Sequence, residues 1–186
     1  MASTATAECI GATPAALRRL YVIRFVFAAA WAALVLLFGS ELTVGAKLLL
    51  VLYPAFDVAA AVVDARSARD TGPVKGLYAN MAVSVLAAVG VAVASTSGVA
   101  DVLRVWGAWA VVSGLIQLLV GIARRPMGGQ WAMILSGGIS VLAGGNFIRS
   151  ATQDDPSLTT LAGYATLGGI FFLVSAIRLS RSTPRS

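Results

Sequence analysis

The chain has 186 residues, of which 58% are hydrophobic and only 12% are charged. A soluble globular domain has about 25% charged residues, so this composition excludes a water-covered surface and indicates that a lipid bilayer covers most of the chain. The sequence has no histidine and one cysteine, Cys9, which excludes a disulfide within the chain, a Cys/His zinc site and a His-ligated haem. The net charge of +6 is not accompanied by a basic patch interleaved with aromatic residues, so we expect no nucleic acid, and no metal or cofactor.

Six apolar segments follow one another along the chain. A bilayer core of about 30 Å requires about 20 apolar residues in a helix. Segments of this length are Leu20–Phe38, Gly45–Val63, Gly76–Ala94, Val102–Ala123, Gln130–Phe147 and Leu158–Ile177. Because backbone groups in lipid must be hydrogen-bonded within their own segment, these runs predict six transmembrane helices, and the fold class is an all-α integral membrane protein. The predicted domain covers 18–181, between a disordered cytoplasmic N-terminus, 1–17, and a cytoplasmic tail, 182–186.

The first apolar run follows Arg18 and Arg19, which raises the alternative of a signal peptide. This run is longer than the apolar region of an ordinary signal peptide. No small-x-small cleavage site follows it, since the next residues are Gly39, Ser40 and Glu41. We therefore expect a retained transmembrane helix.

Basic residues are distributed unequally between the two sides of the predicted bundle. One side has Arg18, Arg19, Arg66, Arg69, Lys75, Arg124, Arg125, Arg178, Arg181 and Arg185. The other side has Lys47, Arg104 and Arg149, while Arg24 lies inside the first span. Lys and Arg accumulate on the cytoplasmic side of membrane proteins, so both termini are predicted to be cytoplasmic. The same arginines suit anionic lipid headgroups, although their role in setting topology explains them equally well.

An internal repeat of 56 residues divides the spans into hairpins. Ser84-Val85-Leu86-Ala87 recurs as Ser140-Val141-Leu142-Ala143. Polar residues recur with it: Arg24, Asn80 and Ser136 in the first span of each hairpin, and Asp57, Ser113 and, at a step of 62, Ser175 in the second. The pattern predicts three repeated hairpins with the same orientation, 18–70, 71–125 and 126–181.

The second helix of each hairpin also carries a short motif. Val112-Ser113-Gly114 precedes Arg124-Arg125, Val174-Ser175-Ala176 precedes Arg178, and Phe56-Asp57-Val58 precedes Arg66. These motifs resemble the Val-Asp/Ser-Gly pattern of the HdeD / DUF308 family of small bacterial membrane proteins, with Ala in place of Gly in the third hairpin and a looser match in the first. The resemblance covers about residues 18 to 181. It implies six helices in three hairpins, the bacterial inner membrane, and an association with acid-stress resistance without a defined molecular activity.

Asp57 and Arg24 are the charged residues that lie deepest inside the predicted spans. Asp57 lies roughly 12 Å below the cytoplasmic boundary, and Arg24 lies in the first span near the same side. A charge at this depth is costly unless it faces a partner inside the bundle, which predicts an Arg24–Asp57 pair. Two interpretations remain open: Asp57 titrates or binds a cation in an ion path, or the pair only fixes helix packing.

Other polar and small residues share helix faces. Asn80, Ser113, Gln117, Ser136, Ser140 and Ser175 are candidates to line a polar cavity with the charge pair. Alternatively, they make hydrogen bonds between helices. Gly107, Gly114 and Gly121 form one stripe that suits close helix packing, or a homo-oligomer if the stripe is exposed. The tryptophans are interpreted as an aromatic belt, with Trp106 at the outer interface and Trp131 at the inner one.

Two functions follow from these residues. The first is a non-enzymatic inner-membrane protein that supports acid or envelope stress tolerance through packing, oligomerisation or partner binding. The alternative is a small ion, proton or solute channel or transporter that uses the Arg24–Asp57 layer. No enzyme is expected, because paired carboxylates are not evident: Asp64 is seven residues from Asp57 but lies at the interface.

Overall fold

The apolar runs all form helices in the computed structural model, which describes residues 14–68, 75–123 and 131–182. The helices are α1 (Pro14–Phe38), α2 (Val44–Ala68), α3 (Lys75–Ala94), α4 (Val99–Ala123), α5 (Trp131–Ser150) and α6 (Thr159–Ser182). The all-α prediction and the number of helices are confirmed for this part of the chain. Helix α1 begins four residues before the start expected for the helical domain. The rest of the predicted N-terminal segment, 1–13, and the predicted tail beyond 182 lie outside the described residues.

Local signals set the helix ends on the side of the bundle opposite the start of α1. The Thr43 hydroxyl accepts a hydrogen bond from the Ala46 amide at 3.2 Å, which caps the start of α2. Between α3 and α4, Gly98 has a φ of +137°, a conformation that residues with a Cβ rarely adopt. The Gly98 amide donates to the Ala94 carbonyl at 3.2 Å and so closes the end of α3. These turns keep the connections short and make successive helices antiparallel.

The helices contact one another in a closed ring, in which each helix touches its neighbours along the chain and α1 touches α6. The most extensive contacts are α4 with α5, α1 with α6, and α2 with α3. Within the predicted hairpins, α1 with α2 and α5 with α6 contact each other much less. The closest packing therefore joins neighbouring hairpins rather than the two helices of one hairpin.

Glycines explain why α4 and α5 approach so closely. A Cβ on Gly114 would lie 2.8 Å from the Gly137 carbonyl oxygen, and one on Gly107 would lie 2.7 Å from the Gly144 carbonyl oxygen. Neither position leaves room for a side chain. The predicted glycine stripe of α4 is thus used inside the chain, against α5, as small residues are at close helix contacts in membranes.

Five helices are long and apolar enough to cross a membrane, by length and composition. They contain the candidate spans Arg18–Phe38, Val44–Val63, Gly76–Ala94, Val99–Ala123 and Thr159–Arg178. Helix α5 is not among them within the described residues. Large apolar side chains such as Leu37, Leu86 and Leu142 are 71 to 75% exposed, as expected of a surface that faces lipid.

The tryptophans are located differently from the predicted belt. Trp106 is fully buried, and Trp31 and Trp109 are 1% and 8% exposed, so the interpretation of Trp106 as an interfacial residue is wrong. Trp106 packs between Trp31 and Trp109 in the core, with ring centres 5.4 and 5.1 Å away. Trp131, at the start of α5, is 65% exposed, which agrees with an interfacial position.

Candidate functional site: a polar network around Asp57

Asp57 projects from the middle of α2 towards α3. Its Oδ2 atom accepts hydrogen bonds from Asn80 Nδ2 at 2.9 Å and from Ser84 Oγ at 2.8 Å. Asn80 and Ser84 are one turn apart on α3, so both donors lie on the same face of that helix. This geometry satisfies one carboxylate oxygen fully without any other charged group.

Arg24 approaches the second carboxylate oxygen from α1. Its Nη1 atom lies 3.8 Å from Asp57 Oδ1, so the predicted pair forms as a close ionic contact that is longer than a direct hydrogen bond. The guanidinium carbon also lies 5.0 Å from the centre of the Phe172 ring on α6, within the range of a cation–π interaction. Arg24 Nε is buried and has no hydrogen-bond partner among the described residues. Arg24 therefore links α1 to both α2 and α6.

Ser84 extends the network to a fourth helix. The Ser84 hydroxyl donates to Asp57 and accepts a hydrogen bond from Trp109 Nε1 of α4 at 3.1 Å. Ser84 is fully buried and Trp109 nearly so. In a low-dielectric interior such hydrogen bonds are strong, and a buried polar group that lacks its partner destabilises the fold. The chain Arg24–Asp57–Ser84–Trp109 consequently joins α1, α2, α3 and α4.

A cluster of aromatic rings covers the side of this network that faces the α1–α2 turn. Tyr53 lies one turn before Asp57 on α2, and its ring centre is 4.7 Å from that of Trp31 and 5.4 Å from that of Trp106. Trp106 and Trp109 are 5.1 Å apart. The Trp31 indole nitrogen donates to the Leu49 carbonyl at 2.6 Å, five residues before Pro54 in α2. Aromatic side chains thus occupy much of the core between Asp57 and the turn that joins α1 to α2.

A cavity of about 20 Å³ lies beside the charge pair. Its lining residues are Arg24, Phe27, Tyr53, Phe56, Asp57 and Phe172. A space of this size holds about one water molecule and is far smaller than a site for an organic solute. The Asp57 and Arg24 side chains are 23% and 15% exposed, so this small space is not fully sealed.

The other predicted site residues do not join this network. Ser140 instead bonds the Tyr164 hydroxyl at 2.9 Å, and Ser175 donates to the Phe171 carbonyl of its own helix at 2.8 Å. The Ser113 hydroxyl is buried without a hydrogen-bond partner among the described residues. Gln117 and Ser136 are half-buried and do not line the cavity. Of the predicted set, the structure brings together Arg24, Asp57 and Asn80.

Ser84, Tyr53 and Trp109 belong to the site but were not predicted to. Ser84 had a signal in the sequence, since it lies four residues after Asn80 and opens the repeated Ser-Val-Leu-Ala motif. In the sequence, that motif serves only to define the internal repeat. The described residues contain no group of three or more His, Cys, Asp or Glu side chains that could hold a metal ion.

Comparison with family models, with curated proteins and with solved structures gives no match to this chain. The resemblance to the HdeD / DUF308 family therefore stays a prediction that rests on the motifs quoted above. What the fold itself establishes is a multi-pass helical protein whose apolar helices contact a lipid bilayer.

Proposed function

We propose that this chain is a non-enzymatic, six-span membrane protein of the HdeD / DUF308 type that supports acid or envelope stress tolerance through packing, oligomerisation or partner binding. In this proposal the polar network is structural and holds the helices in register. One observation carries it: Asp57 has two short hydrogen bonds from α3 and an ionic contact from α1, so its charge is compensated by neighbouring helices. A buried charge with such partners favours one arrangement of the helices over others.

The contacts between helices support the threefold repeat and change one assignment within it. Ser84 lies against Asp57, Ser140 lies against Gly114, and Ala28 lies against Gly169. Steps of 56 residues relate Ala28 to Ser84 and Ser84 to Ser140. The same step leads from Asp57 to Ser113, beside Gly114, and then to Gly169. This register favours Gly169 over Ser175 as the counterpart of Asp57 in the third hairpin. It also favours α5 as a membrane span in addition to the five candidate spans named above.

A proton or ion path remains the second candidate, because the cavity beside Arg24 and Asp57 leaves part of the carboxylate accessible. A path across the bilayer needs a route on both sides of Asp57. On the outer side, Trp31, Tyr53 and Trp106 pack with ring centres 4.7 to 5.4 Å apart, which leaves no wide passage between them. This packing favours the structural function.

Asp57→Asn in the full chain separates the two functions. The variant keeps the shape of the side chain and removes its charge. Purified protein is reconstituted into liposomes, and both its thermal unfolding and the proton leak of the vesicles are measured. The matched control is Asp101→Asn, which removes an exposed carboxylate paired with Arg104 at the outer end of α4. The structural function predicts a lower unfolding temperature for Asp57→Asn alone and the same proton leak for all proteins. A wild-type leak that Asp57→Asn abolishes, with assembly intact, would establish the ion path instead.

A further inference from the structure

The lipid-facing side of α5 has a pattern that the other helices lack. Leu135, Gly138, Leu142, Gly145 and Arg149 follow one another at alternating steps of three and four residues. This spacing places them on one stripe of a helix, as in the seam of a coiled coil. Leu135 and Leu142 are 56% and 75% exposed, and none of the five residues is buried.

Leucine and glycine alternate along this stripe, which we call the α5 seam (Leu135, Gly138, Leu142, Gly145 and Arg149). No atom outside the local helix lies within 4 Å of a Cβ built on Gly138 or Gly145. The stripe therefore has projecting leucine side chains separated by open gaps. Such a surface is complementary to a second copy of itself, because a leucine of one helix packs into the gap beside a glycine of the other.

The same positions in the second hairpin are ordinary lipid-facing residues. Positions 56 residues earlier are Ala79, Ala82, Leu86, Val89 and Val93 on α3, all exposed. They include neither a glycine nor a charge. The α5 seam thus differs from an equivalent helix face of the same protein in its two glycines and in the charge at its end.

Charge complementarity indicates which partner the seam fits. Arg149 lies at the outer end of the seam, is exposed, and forms no ion pair with the described residues. Asp154 and Asp155, in the loop that follows α5, are also exposed and form none. In two copies that share one membrane orientation, the α5 helices run parallel. The two Arg149 side chains then lie at the same end of the pair, where each can reach the Asp154–Asp155 segment of the other copy, and these carboxylates offset the repulsion between the two arginines.

We propose that the α5 seam is a homodimer interface, in which two copies of this chain pair through parallel α5 helices with Arg149 facing the other copy's Asp154–Asp155 segment. This proposal rests on the membrane-spanning function proposed above and identifies its partner. The glycine stripe of α4 is not available for the purpose, because Gly107 and Gly114 are already packed against α5 of the same chain.

Disulfide cross-linking in native membranes tests the interface directly. In a Cys9→Ser background, Leu142→Cys is compared with Leu86→Cys. Leu86 lies at the equivalent position of the repeat, and its side chain is 71% exposed, against 75% for Leu142. A disulfide needs a Cβ–Cβ distance of about 4 Å, which a parallel seam provides at position 142. We expect oxidation to give a covalent dimer with Leu142→Cys and Leu135→Cys, and none with Leu86→Cys. Equal cross-linking at positions 86 and 142, or none at either seam position, would overturn the proposal.

Association of the full chain in liposomes gives a second measurement. Gly145→Leu fills a gap of the seam, and Val89→Leu is its control at the equivalent position of α3. Counting single labelled molecules per vesicle over a range of protein-to-lipid ratios gives the dissociation constant. We expect Gly145→Leu to weaken dimerisation by roughly tenfold and Val89→Leu to leave it unchanged. A wild-type protein that stays monomeric at every ratio would show that lipid alone covers the seam.

Charge reversal tests the orientation of the pair. Arg149→Asp should weaken the dimer, and combining it with Asp154→Arg and Asp155→Arg should restore it, because the opposite charges meet again. A triple variant as weak as Arg149→Asp alone would exclude the parallel arrangement. Failure of the dimer leaves the thermal unfolding result for Asp57→Asn unaffected, so the two proposals fail separately.

Discussion

The Ser84 hydroxyl lies 2.8 Å from Asp57 Oδ2 and is the only direct hydrogen-bonded link, among the described residues, between the Asp57 carboxylate and α4. Its single proton goes to the carboxylate, and its lone pair accepts the Trp109 indole N–H at 3.1 Å. One small side chain therefore joins α2, α3 and α4 in the middle of the ring. Its effect on stability should exceed that of an ordinary serine in a membrane helix.

Ser84→Ala should lower the free energy of unfolding by about 1 to 2 kcal/mol. The substitution removes one donor to Asp57 and leaves the buried Trp109 N–H without its acceptor. The measurement is unfolding of the purified full chain in detergent micelles, followed by tryptophan fluorescence, which also reports the changed surroundings of Trp109.

Ser175→Ala is the matched control for that measurement. Ser175 also lies inside a helix, but its hydroxyl bonds only to the Phe171 carbonyl of the same helix. Its removal should change the free energy of unfolding by less than about 0.5 kcal/mol. If the two variants lose equal stability, Ser84 does not act as a link between helices.

Arg24 and Asp57 should be energetically coupled. Arg24→Gln and Asp57→Asn each leave one charge inside the bundle without its opposite, so each should destabilise the protein. The double variant should lose less than the sum of the two single losses, with a coupling energy of about 1 kcal/mol, since the separation of 3.8 Å and the partial exposure of both groups weaken the attraction. Thermal and detergent unfolding of all four proteins completes the cycle.

A control cycle uses Arg104→Gln and Asp101→Asn, an exposed pair near the N-terminal end of α4. Exposed pairs contribute little, so the four proteins of this cycle should have nearly equal stability. Additive losses of stability for the Arg24 and Asp57 variants would show that the two charges are compensated separately. Asn80 and Ser84 would then compensate Asp57, and Phe172 would compensate Arg24.

The sequence predicts the helices well and their packing poorly. Length and apolarity identify which segments form helices, so six helices are evident without any knowledge of their contacts. The choice of neighbours depends on which small residues meet, and a stripe such as Gly107 and Gly114 does not say whether it meets α3, α5 or another chain. Only the structure shows that it faces α5.

The candidate site could be predicted only in part, because the sequence does not show which side chains of neighbouring helices meet. Asp57 and Arg24 were identifiable because a charge in lipid needs a partner. Ser113 has the same position in the repeat as Asp57, but a hydroxyl needs no compensating charge, and its neighbour Gly114 packs directly on α5. Trp106 was misplaced because tryptophan is common both at membrane interfaces and in large cores, and the sequence does not distinguish them.

Gly114→Ala should destabilise the chain, because the added methyl group has no room where α4 packs against α5. The added methyl group would lie 2.8 Å from the Gly137 carbonyl oxygen and as close to Ser140 Cβ, and both are held by helix backbone. Overpacking of this kind costs about 1 to 3 kcal/mol. The measurement is again detergent unfolding of the purified chain.

Gly163→Ala provides the comparison for that substitution. Gly163 lies on an exposed face of α6, with no atom outside its local helix within 4 Å of an added Cβ. Alanine has the higher helix propensity, so this variant should be as stable as the wild type or slightly more stable. Equal destabilisation at positions 114 and 163 would contradict the close approach of α4 and α5.

Cysteine accessibility should confirm the membrane orientation. With Cys9→Ser as background, Ser97→Cys and Thr152→Cys replace exposed residues in the turns after α3 and α5. Both should react with a membrane-impermeant maleimide added to intact cells, because they lie on the side opposite most of the arginines. Arg178→Cys, near the end of α6, should react only after the cells are opened. Labelling of position 178 in intact cells would show that the predicted orientation is wrong. Labelling of position 97 but not of position 152 would mean that α5 does not cross the bilayer, and the three-hairpin arrangement would then be wrong.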